Sequence, residues 1–217
     1  MKPLAECRLY TFVDTAYLHG REPAWVAQQL CDGGVDLIQL RAKNSMEEDV
    51  RRMAETILPV TKAAGVGLVI NDFPAVAREV GAELCHLGQE DFFDTGLTKV
   101  EQIVGASGKF GVGLSTHAPE QARRALEANP AYIAIGPIYA TGTKPTARPV
   151  TLDYVRWAAA NVTIPWFAIG GIHLGNLEEV VAAGARNICV VSAILNAPDI
   201  ASACRKFRRG LDAGKGF

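Results

Sequence analysis

Cysteine is scarce and scattered. The five thiols, Cys7, Cys31, Cys85, Cys189 and Cys204, are odd in number and include no Cys-x-x-Cys pair, which argues against a disulfide framework and against a structural zinc site. The four histidines are just as dispersed, and no Ser-His-Asp or Cys-His arrangement can be assembled from their spacing. Charge of one sign is missing too. With 22 basic and 23 acidic side chains the net charge is -1, so no global field draws the chain to nucleic acid or to an anionic membrane. That balance still lets a few cations converge on one anion. No apolar run reaches membrane-spanning length, and Met1–Arg8 is charged where a signal peptide needs an apolar core, so a reducing cytoplasm is the expected location. Linkers and low-complexity stretches are also lacking. One domain over residues 1–217 is expected, near the low end of the length of a closed α/β barrel.

What is present is a repeated alternation of short β-rich runs with longer amphipathic stretches, the pattern of βα units around a parallel sheet. Strands are expected at Leu9–Val13, Leu37–Arg41, Gly67–Ile70, Leu84–Leu87, Phe110–Leu114, Tyr132–Ile135, Trp166–Ile169 and Ile188–Val191. Most are continuous apolar runs, as suits strands covered on both faces. Helices are expected near Ala24–Cys31, Met46–Ala64, Ala75–Val80, Thr98–Val104, Pro119–Ala128, Leu152–Ala160, Leu177–Ala183 and Ile200–Arg209. Gly33-Gly34, Gly65, Gly81 and Gly184 stand where helix C-termini want positive φ, and Pro119 suits a first turn. Eight such units favour closure into a (β/α)8 TIM barrel over an open doubly wound sheet, so the fold class expected is α/β.

Barrel enzymes carry their chemistry on the loops that follow the strands. After the second strand, Gln39, Arg41 and Lys43 alternate to one side, placing two cations and an amide together; a solvated strand end is the plainer alternative. The third strand ends in Asn71-Asp72 and the fourth in His86-Leu87-Gly88-Gln89-Glu90-Asp91. Asp72 and Asp91 are thus within reach of one ion, and two carboxylates with substrate oxygens are how Mg²⁺ is commonly held. The plainer alternatives are a helix N-cap for Asp72 and a turn for Asp91. After the sixth strand, Gly136-Pro137-Ile138-Tyr139-Ala140-Thr141-Gly142-Thr143-Lys144-Pro145 is long and rich in small residues and hydroxyls, a segment able to wrap an oxyanion. Gly170-Gly171 after strand seven and Ser192-Ala193 after strand eight match the phosphate cradle of many barrels. For His86 and His117 a satisfied core or rim position is expected.

These segments, in order, resemble the thiamin phosphate synthase family along nearly the whole chain, from Gln39-Leu40-Arg41-Ala42-Lys43 to Ser192-Ala193-Ile194. Gln-x-Arg-x-Lys, His-Leu-Gly-Gln-x-Asp and Thr-x-Thr-Lys together are the specific part; the glycine pair is common to many barrels. The resemblance implies a transferase whose small-molecule substrates are hydroxymethylpyrimidine diphosphate and thiazole phosphate, with Mg²⁺ as cofactor and a homo-oligomer left open. It implies that Gln39 meets the aminopyrimidine and that Arg41, Lys43, Asn71 and Lys144 meet the diphosphate, which Ser115 also lines. Asp72 and Asp91 would hold the metal. Thr141, Thr143, Gly171, Val191 and Ser192 would hold the thiazole's phosphate, with Leu40, Ala42 and Gly142 completing the substrate-binding segments. The catalytic group would be Arg41, Lys43, Lys144 and Ser115. Departures from the family's usual residues fall at Glu83-Leu84-Cys85, Thr151, Arg186-Asn187 and Cys189, and none removes a matched ligand. A thiazole tautomerase, with a proton shuttle such as His117, and a silent barrel that only binds thiamin precursors are the alternatives. Retention of Arg41, Lys43, Asp72, Asp91 and Lys144 argues against the tautomerase, which has no diphosphate to hold.

Overall fold

In the computed structural model, which describes residues 1–105, 108, 110–141 and 148–213, eight parallel strands close into a barrel in sequence order. They are β1 (Leu9–Asp14), β2 (Leu37–Arg41), β3 (Gly67–Asn71), β4 (Leu84–Leu87), β5 (Gly111–Thr116), β6 (Tyr132–Ile135), β7 (Trp166–Ile169) and β8 (Ile188–Cys189). Closure is made by β8 against β1, where Leu9 pairs with Ile188 and Tyr10 with Cys189. Helices between the strands are α1 (Pro23–Asp32), α2 (Glu47–Ala64), α3 (Pro74–Val80), α4 (Gln89–Phe93), α5 (Glu101–Val104), α6 (Pro119–Glu127), α7 (Thr151–Asn161), α8 (Leu177–Ala182), α9 (Ser192–Leu195) and α10 (Ile200–Ala213).

Patterning explains why these segments take these forms. Along α2 the buried residues Val50, Ala54, Ile57 and Thr61 recur every three or four positions, which is one helical face against the sheet. Its first turn carries Glu47, Glu48 and Asp49 and its last turn Lys62, charges that complement the peptide dipoles. Pro23, Pro74 and Pro119 each open a helix, where a missing N–H costs nothing.

Three expectations are corrected. Thr98–Val100 precedes the fifth helix as a turn, because Gln102 Oε1 accepts the N–H groups of Thr98 and Lys99, each at 2.8 Å, and leaves the helix to Glu101–Val104. The eighth strand stops at Cys189; Val191 adopts φ -115° and ψ -83° and turns into α9, although Val190 N–H still reaches Tyr10 O at 3.0 Å. Of the glycine pair after α1 only Gly34 has positive φ. Gly33 is required for room instead, since a Cβ there would lie 2.5 Å from Cys204 Cβ.

The barrel's N-terminal end is tied by one carboxylate. Asp36, 7% exposed, accepts the Arg8 and Leu9 N–H groups at 2.7 and 2.9 Å and pairs with Lys2 at 2.6 Å and with Arg208 of α10. The chain start, β1, the approach to β2 and the last helix therefore meet on one anion. Removing a charge from such a cluster leaves its cationic partners facing an amide. Asp36→Asn is expected to lower the unfolding free energy by about 2–4 kcal/mol, read as an earlier urea midpoint; an unchanged midpoint would show that the cluster adds nothing to stability.

Candidate active site

Alternation along the strands turns Tyr10, Phe12 and Asp14 of β1 and Gln39 and Arg41 of β2 toward the barrel axis. Above them, at the C-terminal ends of the strands, opens a cavity lined by Phe12, Gln39, Arg41, Asn71, His86, Ser115, Thr141, Gly171, Val191 and Ser192, among others. Gln39, Arg41, Asn71 and Ser115 thus share one cavity with Thr141, Gly171, Val191 and Ser192. Gly142, Thr143 and Lys144 lie outside the described residues.

The rest of the expected cluster divides. Leu40 and Ala42 are buried in the hydrophobic core, and neither lines this cavity. Lys43 comes two residues after β2 has ended, where strand alternation no longer directs side chains, and it sits in a neighbouring depression with Asp72 and Asp91. There its Nζ pairs with Asp72 Oδ2. Asp72 is not a helix cap: Phe73 holds the N-cap position of α3, and Asp72 itself adopts φ 65°, a left-handed turn that acidic and amide residues tolerate best. Asp91 lies in the first turn of α4, a helix the sequence reading did not anticipate, and its Oδ2 packs where a side chain on Gly88 would stand, 2.5 Å from that Cβ position.

Arg41 is held by a residue that the motifs passed over. Asp14, 1% exposed at the end of β1, accepts from Arg41 Nη1 at 2.8 Å with one oxygen and from Ala16 N–H at 3.0 Å with the other. The signal for it was register, because Asp14 and Arg41 are direct partners across β1 and β2. A charge-assisted pair of this kind fixes the guanidinium's direction as well as its position.

Loops six and seven are knitted backbone to backbone. Ile138 N–H donates to Ile169 O at 2.9 Å and Tyr139 N–H to Gly170 O at 3.1 Å. Gly171, at φ 65°, could not carry a side chain, since a Cβ would lie 2.7 Å from both Ala140 O and Tyr139 Cβ. Asn176 Nδ2 then donates to Gly171 O at 3.0 Å, so the loop's carbonyl is engaged. At the rim, His117 Nδ1 donates to the Gly136 carbonyl, while its own N–H meets Gln121 Oε1 at 2.7 Å.

Beneath the cavity the barrel core is aromatic. Tyr10, Tyr132 and Phe167 stack edge to face with centroids 5.3–6.0 Å apart, and both phenols are fully buried. Their hydroxyls meet at 3.1 Å; Gln39 Nε2 donates to Tyr10, and His86 Nδ1 lies 3.0 Å from the Tyr132 hydroxyl. Burial pushes both phenols well above their ordinary range, so both stay protonated.

Thiol chemistry is not supported at this site. Burial raises Cys189, which lines the cavity, well above the ordinary thiol value, and does the same to Cys85, while Cys7 and Cys31 rise to about 11 and Cys204 to about 12. A raised value means thiol rather than reactive thiolate below it. Near pH 8 iodoacetamide should leave Cys189 of the native protein unlabelled and modify it only after denaturation, as read by peptide mass spectrometry; labelling at the rate of a free cysteine would contradict the assignment.

Comparison with known proteins identifies the family. The family model described as thiamine monophosphate synthase matches residues 9–194. A thiamine-phosphate synthase from Thermus thermophilus is 45% identical over 87% of this chain and 92% of its own length, and one from Acidothermus cellulolyticus is 40% identical over 97% of each. A solved thiamine phosphate pyrophosphorylase from Pyrococcus furiosus superposes with a TM-score of 0.85 at 25% identity, covering 99% of this chain and 100% of that one. The protein therefore belongs to the thiamine monophosphate synthase family.

Proposed function

We propose that this chain is the transferase its family name describes, joining the hydroxymethylpyrimidine group of a diphosphate to thiazole phosphate with release of pyrophosphate. The observation that carries the reading is that the amide and cation side, Gln39, Arg41, Asn71 and Ser115, and the glycine and hydroxyl side, Thr141, Gly171, Val191 and Ser192, open into one cavity. Two substrates held there need only be brought together. The bond between the pyrimidine's exocyclic carbon and the diphosphate oxygen breaks with both electrons leaving on pyrophosphate, and the thiazole nitrogen supplies the pair for the new C–N bond. No proton has to move and no enzyme nucleophile is required, which fits a cavity whose cysteine is held as the thiol.

In this reading Arg41, directed by Asp14, and Asn71 stabilise the charge that grows on the leaving group. Lys43 and Lys144 would add to that side, and Ser115 would line it. Gln39 would meet the aminopyrimidine. Thr141, Thr143 and the backbone N–H groups at Gly171, Val191 and Ser192 would hold the thiazole's phosphate.

Asp72 and Asp91 are the proposed Mg²⁺ ligands. Both line one depression, and they present only hard carboxylate oxygens, as Mg²⁺ requires of the few protein groups it takes alongside phosphate oxygens and water. Bound there, the ion would supply positive charge to the leaving diphosphate. Nothing in the geometry favours the tautomerase, whose reaction leaves Arg41, Asp72 and Asp91 without a task.

The direct test is to incubate the purified protein with both substrates, with and without Mg²⁺; thiamin phosphate and pyrophosphate should form together, and their absence under every condition would overturn the reading. Asp72→Asn and Asp91→Asn should each raise the Mg²⁺ concentration for half-maximal rate by about ten-fold or more, the loss of one charged ligand contact. Binding of thiazole phosphate should survive in both. Unaltered metal dependence would make the two carboxylates structural.

A further inference from the structure

Beneath the cavity runs a polar chain in which Tyr10, Tyr132 and His86 have no task in the reaction as proposed. It runs from Gln39 through Tyr10 and Tyr132 to His86, across strands β2, β1, β6 and β4. We infer that Tyr10, Tyr132 and His86 are positioning residues that lock the Gln39 amide in one orientation, making the cavity selective for a ring with an amino group beside an unprotonated ring nitrogen over the oxo ring with the reverse pattern. The inference rests on the aminopyrimidine reading of the site.

Polarity follows from counting protons. Gln39 Nε2 donates to the Tyr10 hydroxyl, which is thereby an acceptor. Among the described residues the only other partner of that hydroxyl is Tyr132, so the Tyr10 proton points there; turned elsewhere it would be buried unpaired, at the cost of a lost hydrogen bond. Tyr132 then has its own proton to give, and it gives it to His86 Nδ1, 3.0 Å away. With Nδ1 accepting, the ring N–H of His86 lies on Nε2. Every step points the same way, and the tautomer at one end is coupled to the amide at the other. Burial keeps both phenols protonated, so neither hydroxyl can drop out of the chain by ionising.

With one Nε2–H committed to Tyr10, Gln39 keeps its Oε1 and its second N–H for the cavity it lines. Those two groups stand in a fixed order. An aminopyrimidine edge meets them, its amino group donating to Oε1 and its ring nitrogen accepting from Nε2. An oxopyrimidine presents a carbonyl and a ring N–H in the opposite order. To bind it the amide would have to flip, bringing Oε1 against a Tyr10 oxygen whose proton is already committed to Tyr132. Both hydroxyls would have to turn and His86 would have to change tautomer. The aromatic packing leaves no slack for another escape, because Tyr132 is seated over Gly113, where a Cβ would lie 2.1 Å from its Cζ.

Tyr132→Phe and Tyr10→Phe break the chain at different points while keeping the rings that pack on Phe167. The measurement is calorimetric affinity for hydroxymethylpyrimidine diphosphate and for its oxo counterpart, which does not depend on turnover. The wild-type protein should prefer the amino ligand by about ten- to a hundred-fold, the worth of one buried hydrogen bond, and the preference should fall to within a few-fold in each variant. Nitrogen-15 shifts of the His86 ring should report the Nε2–H tautomer in the wild type and a mixture in Tyr132→Phe. Variants that fold, judged by circular dichroism, and keep the wild-type preference would overturn the inference, as would a wild-type His86 carrying its proton on Nδ1. Failure of the product assay with this preference intact would sink the proposed reaction and leave the locked amide standing.

Discussion

Three aromatic rings fill the floor of this barrel because Gly113 leaves room for one of them. Tyr132 occupies the space that any side chain on Gly113 would take, and Tyr10 and Phe167 complete the layer. That layer supports the cavity from below. It also carries two hydroxyls into the buried core, where each must find a partner or destabilise the fold. The chain from Gln39 to His86 is the solution, so a packing constraint at one glycine ends as a hydrogen-bond pattern at the base of the site.

Two buried carboxylates mark the two ends of the barrel and do different work. Asp36 gathers the chain start, β1 and α10 at the N-terminal end, where its partners are structural. Asp14, at the C-terminal end of β1, directs Arg41 into the cavity. A paired, hydrogen-bonded charge is tolerable inside a protein chiefly where geometry matters more than net stability, and a cation directed into a cavity is such a place. The loops after β6 and β7 meet the same demand with backbone rather than charge: glycines at Gly170 and Gly171 allow carbonyl and amide groups of one loop to close on the other.

Much of this was legible along the chain. Eight apolar runs separated by amphipathic stretches are enough to specify the closed barrel, because a strand covered on both faces and a helix with one buried face have different periods. The motifs at Gln39–Lys43, Asn71-Asp72 and Gly170-Gly171 pointed to the strand ends where the cavity is found. Boundaries were less legible where a side chain replaced a backbone partner, as Gln102 does before α5, or where a short helix such as α4 follows a strand directly.

By itself the sequence determined the fold class, the family and the identities of the polar groups at the mouth, since periodicity and local motifs are properties of neighbours along the chain. Only the tertiary structure decided how those groups divide: Arg41 in the cavity and Lys43 beside Asp72, two residues on one short segment separated by the end of a strand. It alone joined Asp14 to Arg41, 27 positions apart in the chain, and linked Gln39 to His86 through the hydroxyls of Tyr10 and Tyr132. The physical reason is that a hydrogen bond depends on distance and direction in space, and barrel closure brings together strands whose separation along the chain carries no record of which side chains will meet.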